Sequence, residues 1–257
     1  MNDAIVASER IGRVLVATLD RPPVNALDAE LIARLDAVLD QASADPGIAL
    51  LHIRSRQKSF CAGADLALMQ ACLSAGRPGA MVEVVRSMQR LFMRFETASV
   101  VTLAEINGAA IGGGLELALA CDLRVAAEDA RLGLPEVRLG LIPAAGGTQR
   151  LTRLCGQALA KRLILGAELI DGAEALRLGI VQWAREGEEL AAWTGELAAR
   201  LSAMPKAALV AAKRCVHAAG DPSRDGFAEE IAATQSLYQE PETAAKVAEF
   251  LNKRHVN

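Results

Sequence analysis

Apolar and polar positions follow two periods along the first two thirds of the chain. Residues 11–19 (IGRVLVATL) are short and β-branched and predict a strand. It stops at Asp20-Arg21-Pro22-Pro23, where two prolines forbid continued pairing. Asp28 is placed to N-cap a helix over residues 29–42, in which Leu31, Ile32, Leu35, Val38 and Leu39 recur at helical spacing. Asp45-Pro46-Gly47 reads as a turn and residues 48–53 (IALLHI) as a buried strand. A basic tract, Arg54, Arg56 and Lys58, then leads into a loop of small residues, Cys61-Ala62-Gly63-Ala64-Asp65. Residues 81–95 predict an amphipathic helix with Val84, Val85, Met88, Leu91, Phe92 and Phe95 on one face. Residues 100–106 predict a strand ending at Asn107-Gly108, and Gly112-Gly113-Gly114 opens a helical run over 115–121. Short strands are expected at 122–127 and 130–134, and Gly146-Gly147 precedes a helix over 148–154. Repeated strand–turn–helix units of this kind imply an α/β architecture.

From about Glu186 the strand signal stops. Residues 190–204, 206–218, 227–238 and 243–253 read as helices, separated by Pro205, Asp221-Pro222 and Pro241. The expected division is an α/β core over 1–195 and an all-helical region over 196–257.

Composition narrows the class of partner. A chain of 257 residues with 52% apolar side chains can bury a sizeable core and is too apolar for disorder. Its 31 acids against 28 bases give a net charge of −3, and five Phe, two Trp and one Tyr are its only aromatics. Such a chain has neither the basic footprint nor the stacking side chains of a nucleic-acid binder. Its longest apolar runs, such as residues 207–212, fall far short of the roughly 18–20 residues that cross a bilayer. Residues 1–9 hold two acids and no basic region followed by an apolar core, so no secretory leader is read. Five scattered cysteines without CxxC spacing suggest neither zinc nor a disulfide framework, and a reducing cytoplasm is expected.

Familiar catalytic motifs are missing: no HExxH, GxxxxGK[ST] or GxSxG occurs. Gly112 and Gly114 begin a dinucleotide fingerprint, but Leu117 stands where its third glycine belongs. His52, inside an apolar strand, reads as a core residue rather than a ligand. Two segments look organised for chemistry instead. In residues 60–65 (FCAGAD), side chains are small enough for backbone N–H groups to reach a ligand, although a tight turn would use the same residues. Glycines at 112–114 open a helix whose unpaired N–H groups and dipole suit an oxyanion. Glu116 sits in that apolar helix, where the dipole alone would also favour it. Glu136 follows in Leu134-Pro135-Glu136-Val137, a setting equally suited to a solvated loop. Two glutamates facing one substrate would allow general acid–base work, but spacing alone does not bring them together.

Taken in order, these segments resemble the enoyl-CoA hydratase/isomerase (crotonase) family. The match runs through Arg21-Pro22 with Asn25-Ala26-Leu27, FCAGAD at 60–65 and NGAAIGGGLELALACDLRVA at 107–126. It continues through LPEVRLGLIPAAGGTQRL at 134–151 and AEALRLGIV at 173–181. The resemblance implies a spiral of β-β-α turns followed by a helical trimerisation region, with self-association as a trimer or a dimer of trimers. It implies an acyl-CoA substrate, no separate cofactor or metal, and an oxyanion hole from the N–H groups of Ala64 and Gly113. Glu116 and Glu136 match the catalytic pair of the hydratases, and the presence of both favours hydration over isomerisation. Arg21, Val24, Ala26, Ala62, Asp65 and Leu66 match positions around the coenzyme A, and Phe250 and Lys253 match a pair that reaches the coenzyme A of a neighbouring subunit.

The chain also departs from the family pattern. Ala67 stands where many members carry a CoA-binding lysine, which leaves Arg54, Arg56 and Lys58 as alternative partners for the phosphates or as a solvated strand end. Ala144 adds a methyl to the family's IPGAGG loop, beside the expected water. The competing expectations are a Δ3-Δ2-enoyl-CoA isomerase, an acyl-CoA hydrolase or decarboxylase on the same fold, and, remotely, an RNA-binding member.

Overall fold

The computed structural model describes residues 5–254, with side chains to Asn252. Its first two strands, β1 (Val6–Ile11) and β2 (Val14–Leu19), form an antiparallel hairpin with Ile11 opposite Val14. Gly12 makes the turn with a φ of 60°. The single strand expected over 11–19 is therefore corrected to two. β1 escaped notice because it is an edge strand whose Ser8-Glu9-Arg10 run faces solvent.

β3 (Leu50–Ser55), β4 (Val101–Ile106), β6 (Leu123–Ala127) and β9 (Trp183–Arg185) extend the hairpin in parallel, giving the order β1-β2-β3-β4-β6-β9. A smaller sheet joins β5 (Ala110–Ile111), β7 (Arg131–Gly133) and β8 (Ile170–Asp171). β2 and β4 are buried along their whole length, so the main sheet is covered on both faces.

Asp28 caps α1 (Ala29–Ala44) by accepting the Leu31 N–H at 2.9 Å, and Leu31, Leu35 and Leu39 enter the core. α2 (Leu66–Ser74), which carries no clear sequence signal, is capped in the same way by Asp65, which accepts from Leu68 at 3.0 Å. α3 (Pro78–Thr97) buries Met88, Leu91, Phe92 and Phe95, while Val84 and Val85 are only half-buried. α4 (Gly113–Ala120) is buried at every residue. α5 (Gly147–Leu165) continues past a break at Gly156, where the φ of 80° explains why the helical signal lapses near residue 154. α6 (Gly172–Arg177) follows β8 and takes its cap from Asp171.

α7 (Gly187–Ser202), the helix containing residue 195, lays Leu190, Thr194, Leu197 and Ala198 against the main sheet. Beneath it, on β3 and β4, His52 Nε2 and Glu105 Oε2 lie 3.0 Å apart, both buried. α8 (Lys206–Ala218) is pinned to the core by Lys213, which pairs with Asp122 at 2.8 Å and donates to the Phe95 and Val100 carbonyls. α9 (Gly226–Leu237) and α10 (Pro241–Arg254) complete the helical region. No helix among the described residues is long and apolar enough to cross a membrane.

Candidate active site

Three loops converge at the C-terminal ends of β2, β3 and β4, and buried Asn25 laces two of them together. With a φ of 54° it places its Oδ1 to accept the Arg21 N–H at 2.8 Å, while its amide donates to Ser55 Oγ and the Phe60 carbonyl. Asparagine tolerates this left-handed backbone better than most residues. Cys61 donates its thiol to the Asn25 carbonyl, and burial pushes its pKa up to about 12, so it stays protonated as a packing group.

Residues 61–65 run as a small strand between two neighbours. Cys61 N–H donates to Ala109, Ile111 N–H to Cys61, Ala62 N–H to Val24, Leu27 N–H to Gly63, and Asp65 N–H to Leu27. Among the described residues this pairing leaves the Ala64 N–H without a backbone acceptor, and the Gly113 N–H, at the first turn of α4, has none either. Glycine permits the close approach. A Cβ on Gly114 would lie 1.9 Å from the Cys61 carbonyl oxygen, and one on Gly63, whose φ is 94°, would lie 2.9 Å from the Ile111 carbonyl oxygen. The two loops proposed from sequence are thus in contact, and both Ala64 and Gly113 face one cavity.

Both glutamates face the same cavity. Glu116, buried in the first turn of α4, accepts the Gly147 N–H on Oε1 at 2.7 Å. Burial raises its pKa to about 7, and the charge of Glu136 adds to the rise. The Gly147 and Ala145 N–H groups and the more distant Arg150 pull the other way. Glu136 opens a 3-10 turn, Glu136–Leu139, and its Oε2 is buried with no hydrogen-bond partner among the described residues. Burial raises its pKa as well. Burial thus favours the protonated form of both carboxylates, and the charge of Glu136 adds to the rise at Glu116.

The support for Glu116 was not visible in the sequence. The loop at 143–147 is tied to α3 by Gln89, which donates to the Ala144 carbonyl at 2.6 Å. Arg150 donates to the Ala145 carbonyl at 2.9 Å and grips Glu96 of α3 through two nitrogens at 2.9 and 2.8 Å. Only the Gly-Gly-Thr-Gln-Arg run hinted at this arrangement; its partners on α3 are too distant along the chain to be inferred.

The cavity measures about 690 Å³ and is walled by α2, the first half of α3 and the 139–145 loop. Ala62 and Leu66 line it. Arg21, Val24, Ala26 and Asp65 do not, and instead frame the adjoining loop. Arg21 pairs with Asp28 at 2.6 Å and Asp65 at 3.8 Å and donates to the Ala26 carbonyl. Arg54 donates to Thr18 and Arg56 pairs with Asp20, while Lys58 and Ala67 are exposed. Phe250 is exposed on α10, and the Lys253 side chain lies outside the described residues.

Comparisons with known proteins place the chain among its relatives. The family model described as enoyl-CoA hydratase/isomerase matches residues 9–257. A probable enoyl-CoA hydratase of Bacillus subtilis is 45% identical over 65% of this chain and 64% of that protein. The 2,3-dehydroadipyl-CoA hydratase of Escherichia coli is 34% identical over 99% of this chain and 97% of its own. The crystal structure of an enoyl-CoA hydratase from Bacillus anthracis superposes with a TM-score of 0.90 at 30% identity, covering 97% of each chain. With the family model spanning residues 9–257 and a relative 34% identical over 99% of its length, the chain belongs to the enoyl-CoA hydratase/isomerase family.

Proposed function

We infer that the chain is an enoyl-CoA hydratase, a hydro-lyase that adds water across the 2,3 double bond of an enoyl-CoA thioester. One observation carries the reading: a buried and a half-buried carboxylate, both with raised pKa values, share a cavity with two main-chain N–H groups that have no backbone acceptor among the described residues. The Ala64 and Gly113 N–H groups receive the thioester oxygen and hold it as it becomes an enolate, which makes carbon 3 electrophilic. Glu116 takes a proton from water as the water oxygen bonds to carbon 3. Glu136 gives its proton to carbon 2. Atoms balance as the product gains one water. The pair keeps one proton throughout, carried by Glu136 at the start and by Glu116 at the end. Greater burial of Glu116 favours the second arrangement, from which the reverse elimination begins. No step calls for a separate cofactor.

The coenzyme A is held along the loop that carries the Ala64 donor. Ala62 and Leu66 lie on the cavity, and Arg21 with Asp65 braces the loop beside it. Self-association as a trimer or dimer of trimers is part of the proposal, as is a cytoplasmic setting. Val216, Phe227, Ile231 and Tyr238 on and beside α8 and α9 are each more than 60% exposed, an apolar surface suited to a second copy. Light scattering gives the number of subunits. Loss of the conjugated-thioester absorbance with formation of a 3-hydroxyacyl-CoA tests the activity. A product of unchanged mass with its double bond moved would establish isomerisation instead.

A further inference from the structure

One wall of the cavity is built from the first half of α3, which the amphipathic pattern marks as core but the fold leaves half open. Met88 stands at its inner end, with its methyl 2.7 Å from the point where a Cβ on Gly113 would lie, beside the oxyanion donor. Going back along the helix, Val85, Val84, Met81 and Pro78 all face the cavity. Met88 and Pro78 are ten positions apart, so at 1.5 Å per residue the wall is about 15 Å long. An extended hydrocarbon with C–C bonds near 1.5 Å advances ~1.25 Å per carbon, so this wall spans about twelve carbons. A four-carbon acyl group would reach no farther than its first turn.

The lining is also nearly free of charge. Apart from Glu116 and Glu136, Arg138 is the one charged side chain on the cavity, and its guanidinium donates to the Ala167 carbonyl at 2.8 Å. Elsewhere on the lining, Leu73, Val82, Leu139 and Ile142 have half or more of their surface exposed. Large apolar side chains left open along one groove mark a surface meant to be covered by apolar matter. Met69 and Met81 can shift to follow it. A distal carboxylate would lie among these aliphatic groups and share the cavity with two glutamates, with Arg138, already donating to Ala167, as the one cation on the described lining.

We propose that α3 acts as a ruler for the acyl group, and that the preferred substrate carries an uncharged chain of roughly eight to twelve carbons. This rests on the hydratase reading above. The test measures kcat/KM on trans-2-enoyl-CoAs of four, six, eight, ten and twelve carbons and on an eight-carbon analogue ending in a carboxylate. In parallel, calorimetry follows binding of the matching saturated acyl-CoAs. Each methylene that leaves water along the wall is expected to raise kcat/KM and affinity by about two- to fourfold, until the chain reaches Pro78. Val85→Trp, which blocks the wall one turn from Met88, is expected to lower the ten-carbon to four-carbon ratio of kcat/KM at least tenfold. Hydration that is fastest at four carbons, is indifferent to length, or favours the carboxylate overturns the ruler while leaving the hydratase reading intact. Affinity that climbs with length while no enoyl-CoA is hydrated overturns the hydratase reading and keeps the ruler.

Discussion

At one end of the cavity, residues 61–64 lie against 112–116, and at the other, α2 faces the first half of α3; the two differ in what holds them. The first end is made of main chain. Its small side chains let backbones approach until a single added methyl collides, and a ladder of hydrogen bonds fixes each donor. The second end is made of side chains. Valines and methionines on a helix present a surface whose shape depends on which aliphatic group stands where. The difference teaches that the main-chain donors are set by backbone geometry, which tolerates almost no change, whereas the proposed choice of acyl group rests on side chains that can vary without disturbing those donors.

Changes at the main-chain end should therefore be the most damaging. Glu136→Gln and Glu116→Gln are each expected to lower kcat by about 10²–10⁴ while leaving acyl-CoA affinity within a few fold, as measured by steady-state kinetics and calorimetry. Near-normal turnover in either variant would remove that residue from the acid–base pair. Gly114→Ala drives a methyl into the Cys61 carbonyl and displaces the loop carrying Ala64. Its expected cost is about 10²–10³ in kcat, together with a lower melting temperature.

Stability separates the two ends in another way. The folded pKa of Glu116, about 7, lies above the ordinary carboxylate value. Its favourable contribution is therefore fully present below that ordinary value and is lost as pH rises through about 7. Glu116→Gln removes the burden of an ionised, buried carboxylate. It is expected to unfold later in denaturant than the parent at pH 8, by at most about 3 kcal/mol, and the gap should close toward pH 5. A gap that widens on acidification would contradict the burial argument. The smallest effect is expected at the brace. Arg150→Met frees Glu96 and loosens the 143–147 loop, lowering kcat about tenfold. With the Arg150 charge gone, the ionisation of Glu116 moves to higher pH, and the pH–rate profile shows the displacement.

The same contrast explains how much could be read in the sequence. Glycines 112–114, FCAGAD and the two glutamates stood out because close backbone approach restricts residue type so severely that the pattern itself is informative. α3 was legible as a helix, but Val84 and Val85 on its apolar face look the same whether they meet a core or a substrate. β1 was missed because an edge strand carries exposed polar residues, and α2 because its mostly apolar sequence has no polar stripe. Arg150 and Glu96 pair across 54 positions, which neither periodicity nor a local motif can encode.

The fate of the proton at carbon 2 tests paired-glutamate hydration most directly. With an eight-carbon trans-2-enoyl-CoA in heavy water, mass spectrometry of the product should show one added water and one non-exchangeable deuterium at carbon 2, and Glu136→Gln should slow the appearance of both together. A product that gains no water and carries its double bond between carbons 3 and 4 would contradict the paired-glutamate hydration mechanism.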